Sequence, residues 1–301
     1  MLLPVLQTHR LTKKYGDFTA LNSVSLTLNS GDVYGLVGRN GAGKTTFFKC
    51  VMGLAKPTNG SIAIYGSKNQ LCASRQHMGF MINPSFFSYL NPKESLNYLC
   101  RIKGIKSHGE VDRLLQLVEL DGVKKPFREF SLGMKQRLGI AGALLGSPLI
   151  VVLDEPINGL DPQGIIDMRA VIKNIHVQTG TTFIISSHIL SELDLMATRF
   201  GFIDHGVLLK EISHKDLHEQ TKKTIIVEVD DAVKAQTALQ SMNVNDTLID
   251  GNKIKIDTHL DKSNEIARVL INNGVEVFDL HRQDTTLEDY FMRLVGGVQN
   301  G

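Results

Sequence analysis

The chain has 301 residues, 33 Lys+Arg against 31 Asp+Glu, and a formal net charge of +2. Hydrophobic residues make up 42% and charged residues 21%, an ordinary globular composition. That balance argues against a dominant electrostatic footprint for nucleic acid, and 3 cysteines are too few and too irregularly spaced for a disulfide framework or a four-ligand zinc site.

Cys50, Cys72 and Cys100 are expected as small buried side chains in a reducing compartment. No segment reaches the roughly 18–20 apolar residues that cross a bilayer. The opening MLLPVLQTHR carries Pro4 and no basic start before an apolar run, so no signal peptide is expected. The expected place is the cytoplasm, with any membrane role coming through a partner.

The first block, 1–67, reads as β-rich. Val5–Lys14 is a strand candidate, and Leu21–Leu28 alternates as one half-buried strand does. Asp32–Val37 is a short apolar run that ends in a glycine-rich loop, and Thr45–Met52 follows as a helix. Ser61–Tyr65 closes the block as a strand.

A helical stretch comes next. Lys93–Lys103 and Gly109–Leu120 carry apolar residues at helical spacing, and Ser131–Leu145 is a third helix with Ser131 in a capping position. Leu149–Leu153 is a continuous apolar run, as in a parallel strand buried on both faces. Pro162–Thr179 reads as a helix, Thr181–Ser186 as a strand, Ile189–Ala197 as a helix and Phe200–Asp204 as a strand.

A polar break is expected at Ile212–Thr221. Beyond it the pattern is strand Thr224–Asp230, helix Ala232–Met242, a hairpin of Asp246–Ile249 and Lys253–Ile256, helix Ser263–Asn273, strand Val275–Leu280 and helix Leu287–Val295. This βαββαβα order is close to a ferredoxin-like plait.

Three stretches carry chemistry. Gly38-Arg39-Asn40-Gly41-Ala42-Gly43-Lys44-Thr45 matches G-x-x-x-x-G-K-[ST] between a strand and a helix. Its glycines let successive N–H groups face a phosphate, Lys44 adds a point charge, and Thr45 offers a hydroxyl to Mg²⁺. Thr46 continues the loop into the helix. Asp154-Glu155 ends the apolar strand that would lie beside this loop, with Asp154 toward Mg²⁺ and Glu155 toward an attacking water. Phe130–Arg137 opens a helix with Ser, Gly and basic residues, and alone it supports only a helix cap.

In this order the set resembles the nucleotide-binding subunit of an ABC transporter. Ser131-Leu132-Gly133 matches the Ser-Gly-Gly of the family signature LSGGQ, keeping Ser and the second Gly and departing at Leu132. The resemblance covers about residues 5–215. It implies that Tyr15 stacks on adenine, that Asn158-Gly159-Leu160-Asp161 crosses a dimer interface, and that His188 contacts the γ-phosphate. Family members commonly carry Gln or Glu where this chain has Asn83. Asn keeps the carbonyl oxygen on a side chain one methylene shorter, and the Mg²⁺-facing role is carried over to it.

The resemblance implies a P-loop NTPase fold of ABC ATPase type over residues 1–215, a mixed-sheet core with a helical insert at about 84–145. A small α+β module at 222–301 follows. It also implies ATP and Mg²⁺, a head-to-tail ATP-sandwich homodimer, and a separate integral membrane permease that would hold the chain at the inner face of the membrane. Asn83-Pro84-Ser85-Phe86-Phe87 and Phe130–Ala141 are similar to subunits of bacitracin-resistance and lantibiotic-immunity exporters. The end of the module, Thr286-Leu287-Glu288-Asp289-Tyr290-Phe291, resembles the extension common in drug-export ATPases. A dimerising or regulatory role is expected of it.

Other readings fit less well. A soluble regulator built on the same ATPase is the alternative, but ribosome-acting relatives usually carry two cassettes, and this chain has one phosphate loop. DNA-repair relatives insert long coiled coils between Lys44 and Asp154, and no such insert is present. A plain P-loop kinase or GTPase leaves the signature helix and His188 without a use.

Overall fold

The computed structural model describes residues 3–68, 71–106, 109–220, 223–242, 244, 247–256, 262–284 and 287–298. Lys222, Asp246 and Thr286, which belong to the sequence reading of the second domain, lie outside the described residues. The chain divides into two compact units, 1–214 and 215–301.

The first unit runs β1 (Pro4–Tyr15), β2 (Phe18–Val24), β3 (Thr27–Asn29), β4 (Val33–Val37), α1 (Lys44–Met52), β5 (Asn59–Ile64), α2 (Leu71–Arg75) and β6 (Met78–Met81). Three longer helices follow: α3 (Pro92–Lys103), α4 (Glu110–Leu117) and α5 (Leu132–Leu144). The unit ends with β7 (Ile150–Asp154), α6 (Pro162–Thr179), β8 (Thr182–Ser187), α7 (Leu190–Asp194), β9 (Arg199–Asp204) and β10 (Val207–Ser213), and α8 (His214–Gln220) comes next.

Two sheets build this unit. In the antiparallel one, β1 pairs with β2, β3 and β5. The single strand expected at Leu21–Leu28 is broken here into β2 and β3. Two threonines of β1 take over the backbone donors at the break: Ser23 N–H donates to Thr12 Oγ1 (3.1 Å) and Leu26 N–H to Thr8 Oγ1 (3.0 Å). Side chains thus replace ladder bonds, and Ser23 takes φ 52°.

The other sheet has the order β10-β9-β4-β8-β7-β6. Its strands run parallel except β10, which is antiparallel to β9. The boundary between the two units falls inside the break expected at Ile212–Thr221, although 212–220 is ordered as the end of β10 and as α8. The strand is reached by a two-residue turn, His205-Gly206, with φ 44° and 76°. Positive φ at both positions matches the twist of a tight hairpin. Between the two sheets lie Leu6, Leu21, Leu28, Tyr34, Phe47, Phe48, Val152 and Ile184. Burying each such large side chain is worth about 1.5–3 kcal/mol.

The helices α3, α4 and α5 stand apart from these layers in the chain order. Asn91 and Glu94 form a reciprocal capping box at the start of α3, with Pro92 in the first turn. Helix α5 packs against β6 because Gly79 presents no side chain to the Ala143 carbonyl. Gly139 likewise admits Pro84 and Met81, whose atoms would lie 2.7 and 2.8 Å from any added Cβ. Phe86, Phe127 and Phe130 form a chain of ring contacts with centroids 5.4 and 5.6 Å apart.

The second unit holds β11 (Lys223–Val229), α9 (Ala232–Gln240), β12 (Thr247–Asp250), β13 (Lys253–Ile256), α10 (Ser263–Asn272), β14 (Val277–Asp284) and α11 (Leu287–Val298). Its antiparallel sheet has the order β12-β13-β11-β14, that of a ferredoxin-like plait. Ile225, Val227, Ile254 and Ile256 pack with Ala235, Leu239, Ile266 and Leu270 of the two helices.

Cys50 and Cys100 are buried, whereas Cys72 is exposed, against the expectation that all three would be buried. Cys72 lies on the short helix α2, which buries no residue at all. No helix among the described residues is long and apolar enough to cross a membrane.

Candidate functional site

The carboxyl ends of β4, β7 and β8 lie side by side in the parallel sheet, where ligands of such sheets bind. Each strand end delivers part of one cluster. β4 is buried along its whole length and feeds the loop Gly38–Gly43. Burial pushes the Tyr34 phenol well above its ordinary range, as does Glu211, whose carboxylate accepts the Tyr34 hydroxyl at 2.9 Å. That neutral, satisfied hydroxyl pins the strand from below.

The loop is compact. Gly38 abuts the carbonyl of Ile203, leaving no room for a side chain, and Gly43 has φ 107° with Ala20 O only 2.7 Å from where a Cβ would sit. Gly43 then opens α1, whose first N–H groups face out of the loop. Arg39, Asn40, Gly41, Gly43, Lys44, Thr45 and Thr46 line a cleft of about 310 Å³ with Ala20, Phe18 and Glu155. Gly38 and Ala42 serve the loop's inner side. Gly38 O accepts from Lys44 Nζ at 2.6 Å, and Ala42 N–H donates to Arg39 O at 3.1 Å.

Charges in the cluster are paired. Lys44 is 6% exposed, and its ammonium lies 3.1 Å from Glu155 Oε1. The other Glu155 oxygen is 2.8 Å from His188 Nδ1. Glu155 has φ 51°, a left-handed backbone that costs a non-glycine residue about 1 kcal/mol and often marks functional positions. Its N–H donates to Ser186 Oγ at 2.9 Å, and Ser186 Oγ donates to Asp154 Oδ1 at 2.6 Å. Asp154 Oδ2 in turn accepts from Thr45 Oγ1 at 2.8 Å. Lys44, Thr45, Asp154, Glu155 and His188 are thus brought together.

A second cleft, of about 520 Å³, gathers Ser131, Gly133 and Asp161 with Leu132, Arg137 and Leu160. Ser131 Oγ accepts from Met134 N–H at 3.3 Å, so it caps α5 as its position in the sequence predicts. Asp161 Oδ1 caps α6 through Gly164 N–H at 3.1 Å.

Tyr15 and Asn83 line neither cleft. Tyr15 is half exposed, and Lys13 Nζ sits 4.7 Å from its ring centroid, covering one face. Asn83 is exposed with φ 44°, a conformation that Asn tolerates better than Gln does.

Sequence reasoning missed two residues here. Phe18, 65% exposed on the rim of the phosphate-loop cleft, faces Tyr15 across a tight turn. Its signal was a large aromatic residue in a short polar hairpin. Ser186, fully buried, links Asp154 to the Glu155 backbone. Its signal was a hydroxyl at the carboxyl end of an apolar strand.

Comparison with known proteins places this geometry. The ABC transporter family profile matches residues 21–158. The chain is 38% identical over 298 residues to the bacitracin transport ATP-binding protein BcrA of Enterococcus faecalis, covering 97% of each chain. The chain belongs to the ABC transporter ATP-binding family. It is 40% identical over 208 residues to the lantibiotic transport ATP-binding protein SrtF of Streptococcus pyogenes, covering 69% of this chain and 90% of that one. A solved ATP-binding subunit of an ABC transporter superposes with a TM-score of 0.63 at 28% identity, covering 72% of this chain and 92% of that one. The fold is therefore the ABC form of the P-loop NTPase, and the chain is an ATP-binding, ATP-hydrolysing transporter subunit.

Proposed function

We propose that this subunit powers export of a peptide antibiotic, or immunity to one, through a separate membrane permease. The observation that carries its ATP-driven part is the convergence of Lys44, Thr45, Asp154, Glu155 and His188 at three adjacent strand ends. The bacitracin and lantibiotic transport relatives support the cargo class.

The residues present fit an ATP·Mg²⁺ site. Two hard oxygen donors, Thr45 Oγ1 and Asp154 Oδ2, lie 2.8 Å apart, which suits a cation that prefers oxygen ligands. Bound there, Mg²⁺ would offset phosphate charge. The loop N–H groups and Lys44 hold the phosphates. Glu155 accepts a proton from, or orients, the attacking water, and His188 steadies the carboxylate that does so. Ser186 fixes both neighbours of this chemistry through its two hydrogen bonds. Asn83, on the segment leading from β6, carries the tie between this site and the helical insert.

Two copies are proposed to close head to tail around ATP, with Ser131 and Gly133 of one copy serving the nucleotide of the other. Tyr15, with one face covered by Lys13, offers its other face to the adenine. Permease docking is supported by a groove of about 200 Å³ among Phe86, Phe87, Leu90, Tyr98 and Leu99. At its wall the buried Ser95 hydroxyl has no partner among the described residues. A helix that brings a large apolar side chain and a hydrogen-bonding group would satisfy both.

The test is co-purification. The tagged chain, drawn from membranes in mild detergent, is expected to bring down a polytopic permease in stoichiometric amount. Recovery as a soluble pool, or with ribosomes, would move the reading to a regulator with the same ATPase.

A further inference from the structure

The amino end of α5 and the loop Asn158–Asp161 interlock reciprocally. Leu132 Cδ2 lies against Gly159, where an added Cβ would sit 3.1 Å from it. Leu160 Cδ2 lies against Gly133, where an added Cβ would sit 3.7 Å from it. Each leucine therefore covers the glycine beside the other leucine. Polar ties flank the pair: Arg137 reaches Asp167 at 3.3 Å, and Gln163 donates to the same carboxylate at 2.7 Å. Leu132 remains 44% exposed, so it is not a core residue. A glycine at position 132, as in the common signature, could make no such contact.

We propose that Leu132 is a positioning residue that clasps the loop Asn158–Asp161 to the signature helix. Ser131 and Asp161 then meet the second subunit as one surface instead of two independently moving ones. The proposal rests on the ATP-sandwich reading above. Its physical basis is preorganisation. A loop with Gly159 at φ 75° would otherwise surrender its backbone freedom at the moment of closure, and ordering it beforehand lowers the cost of association. The contact also means that loop and signature move together when either is engaged.

The test uses the full chain carrying Glu155→Gln, titrated with ATP·Mg²⁺ and read as closed dimer by light scattering after size exclusion. Leu132→Ala is expected to raise the ATP concentration for half-closure about tenfold, within the usual range of site-to-site coupling. ATP binding to the single chain stays unchanged, and Leu132→Met restores closure. Leu160→Ala has the same effect, and the double variant is no worse than either single one, because losing either half of the interlock already frees the loop. Half-closure of Leu132→Ala at the parent ATP concentration overturns the proposal, as do strictly additive effects of the two leucines. If Glu155→Gln with Leu132 intact stays monomeric at saturating ATP, the sandwich reading itself fails and the proposal falls with it. That result is visible before any leucine is changed.

Discussion

The two clefts of the cassette are built on opposite principles. At the phosphate-loop cleft the chemistry is carried by charge. Lys44 and Glu155 are 6% and 20% exposed, paired with each other, and tied onward to His188. At the signature cleft the ionic groups are already engaged within their own chain. Arg137 bridges Glu119 and Asp167, and Asp161 caps α6. What it offers a partner is a serine hydroxyl, helix N–H groups and shape. A site made of partly buried charge is sensitive to which residue is present. A site made of shape is sensitive to where the backbone lies.

Substitutions should divide along this line, beginning with the largest effect. Glu155→Gln is expected to reduce phosphate release about 10²–10⁴-fold, the usual worth of a general acid–base group, while nucleotide binding persists. Unchanged turnover would remove Glu155 from the water-activating role. Lys44→Ala is expected to weaken ATP binding roughly 10–100-fold by calorimetry, since a charge-assisted contact is lost and Glu155 is left without its cation. Near-parent affinity would show that the loop N–H groups hold the phosphates unaided.

On the other side of the comparison the effects are smaller. Ser131→Ala removes the acceptor for Met134 N–H and is expected to cost about 1 kcal/mol of helix capping, read as a lower Tm. Its ATP binding as a single chain stays at the parent value, and only closure weakens. Weaker binding in the single chain would mean that Ser131 serves its own nucleotide. The smallest effect is expected from ending the chain after Lys215, which keeps the whole first unit. ATP affinity is unchanged, and dimerisation is reduced if the α+β module contributes to it. Equal dimerisation in both forms would leave the module without that role.

Much of this was legible beforehand where one side chain type is demanded by local chemistry. The loop Gly38–Thr45 could be read because a tight strand-to-helix turn around phosphate needs glycine, lysine and a hydroxyl at set spacing. Asp154-Glu155 was legible as two acids ending a continuous apolar strand. Ser131 was readable as a cap, and that cap is made; the cap that Asp161 gives α6 came only with the structure. By contrast Leu21–Leu28 reads as one strand, because alternation does not reveal that Thr8 and Thr12, from another strand, will take its backbone donors. Likewise β10 (Val207–Ser213) went unread, because it is an edge strand with much of its surface half-exposed and so lacks an apolar signature.

The sequence by itself determined the chemistry of the phosphate loop, the acids beside it, the α/β class and the presence of a second, smaller unit. These depend on short spacings and on periodicity, which survive without a third dimension. Only the tertiary structure decided that Ser186 braces both acids, that Phe18 stands at the rim of the cleft, and that Leu132 and Leu160 cover each other's glycines. Those are contacts between residues distant in the chain, and their distances are set by how strands and helices pack, which no local pattern encodes.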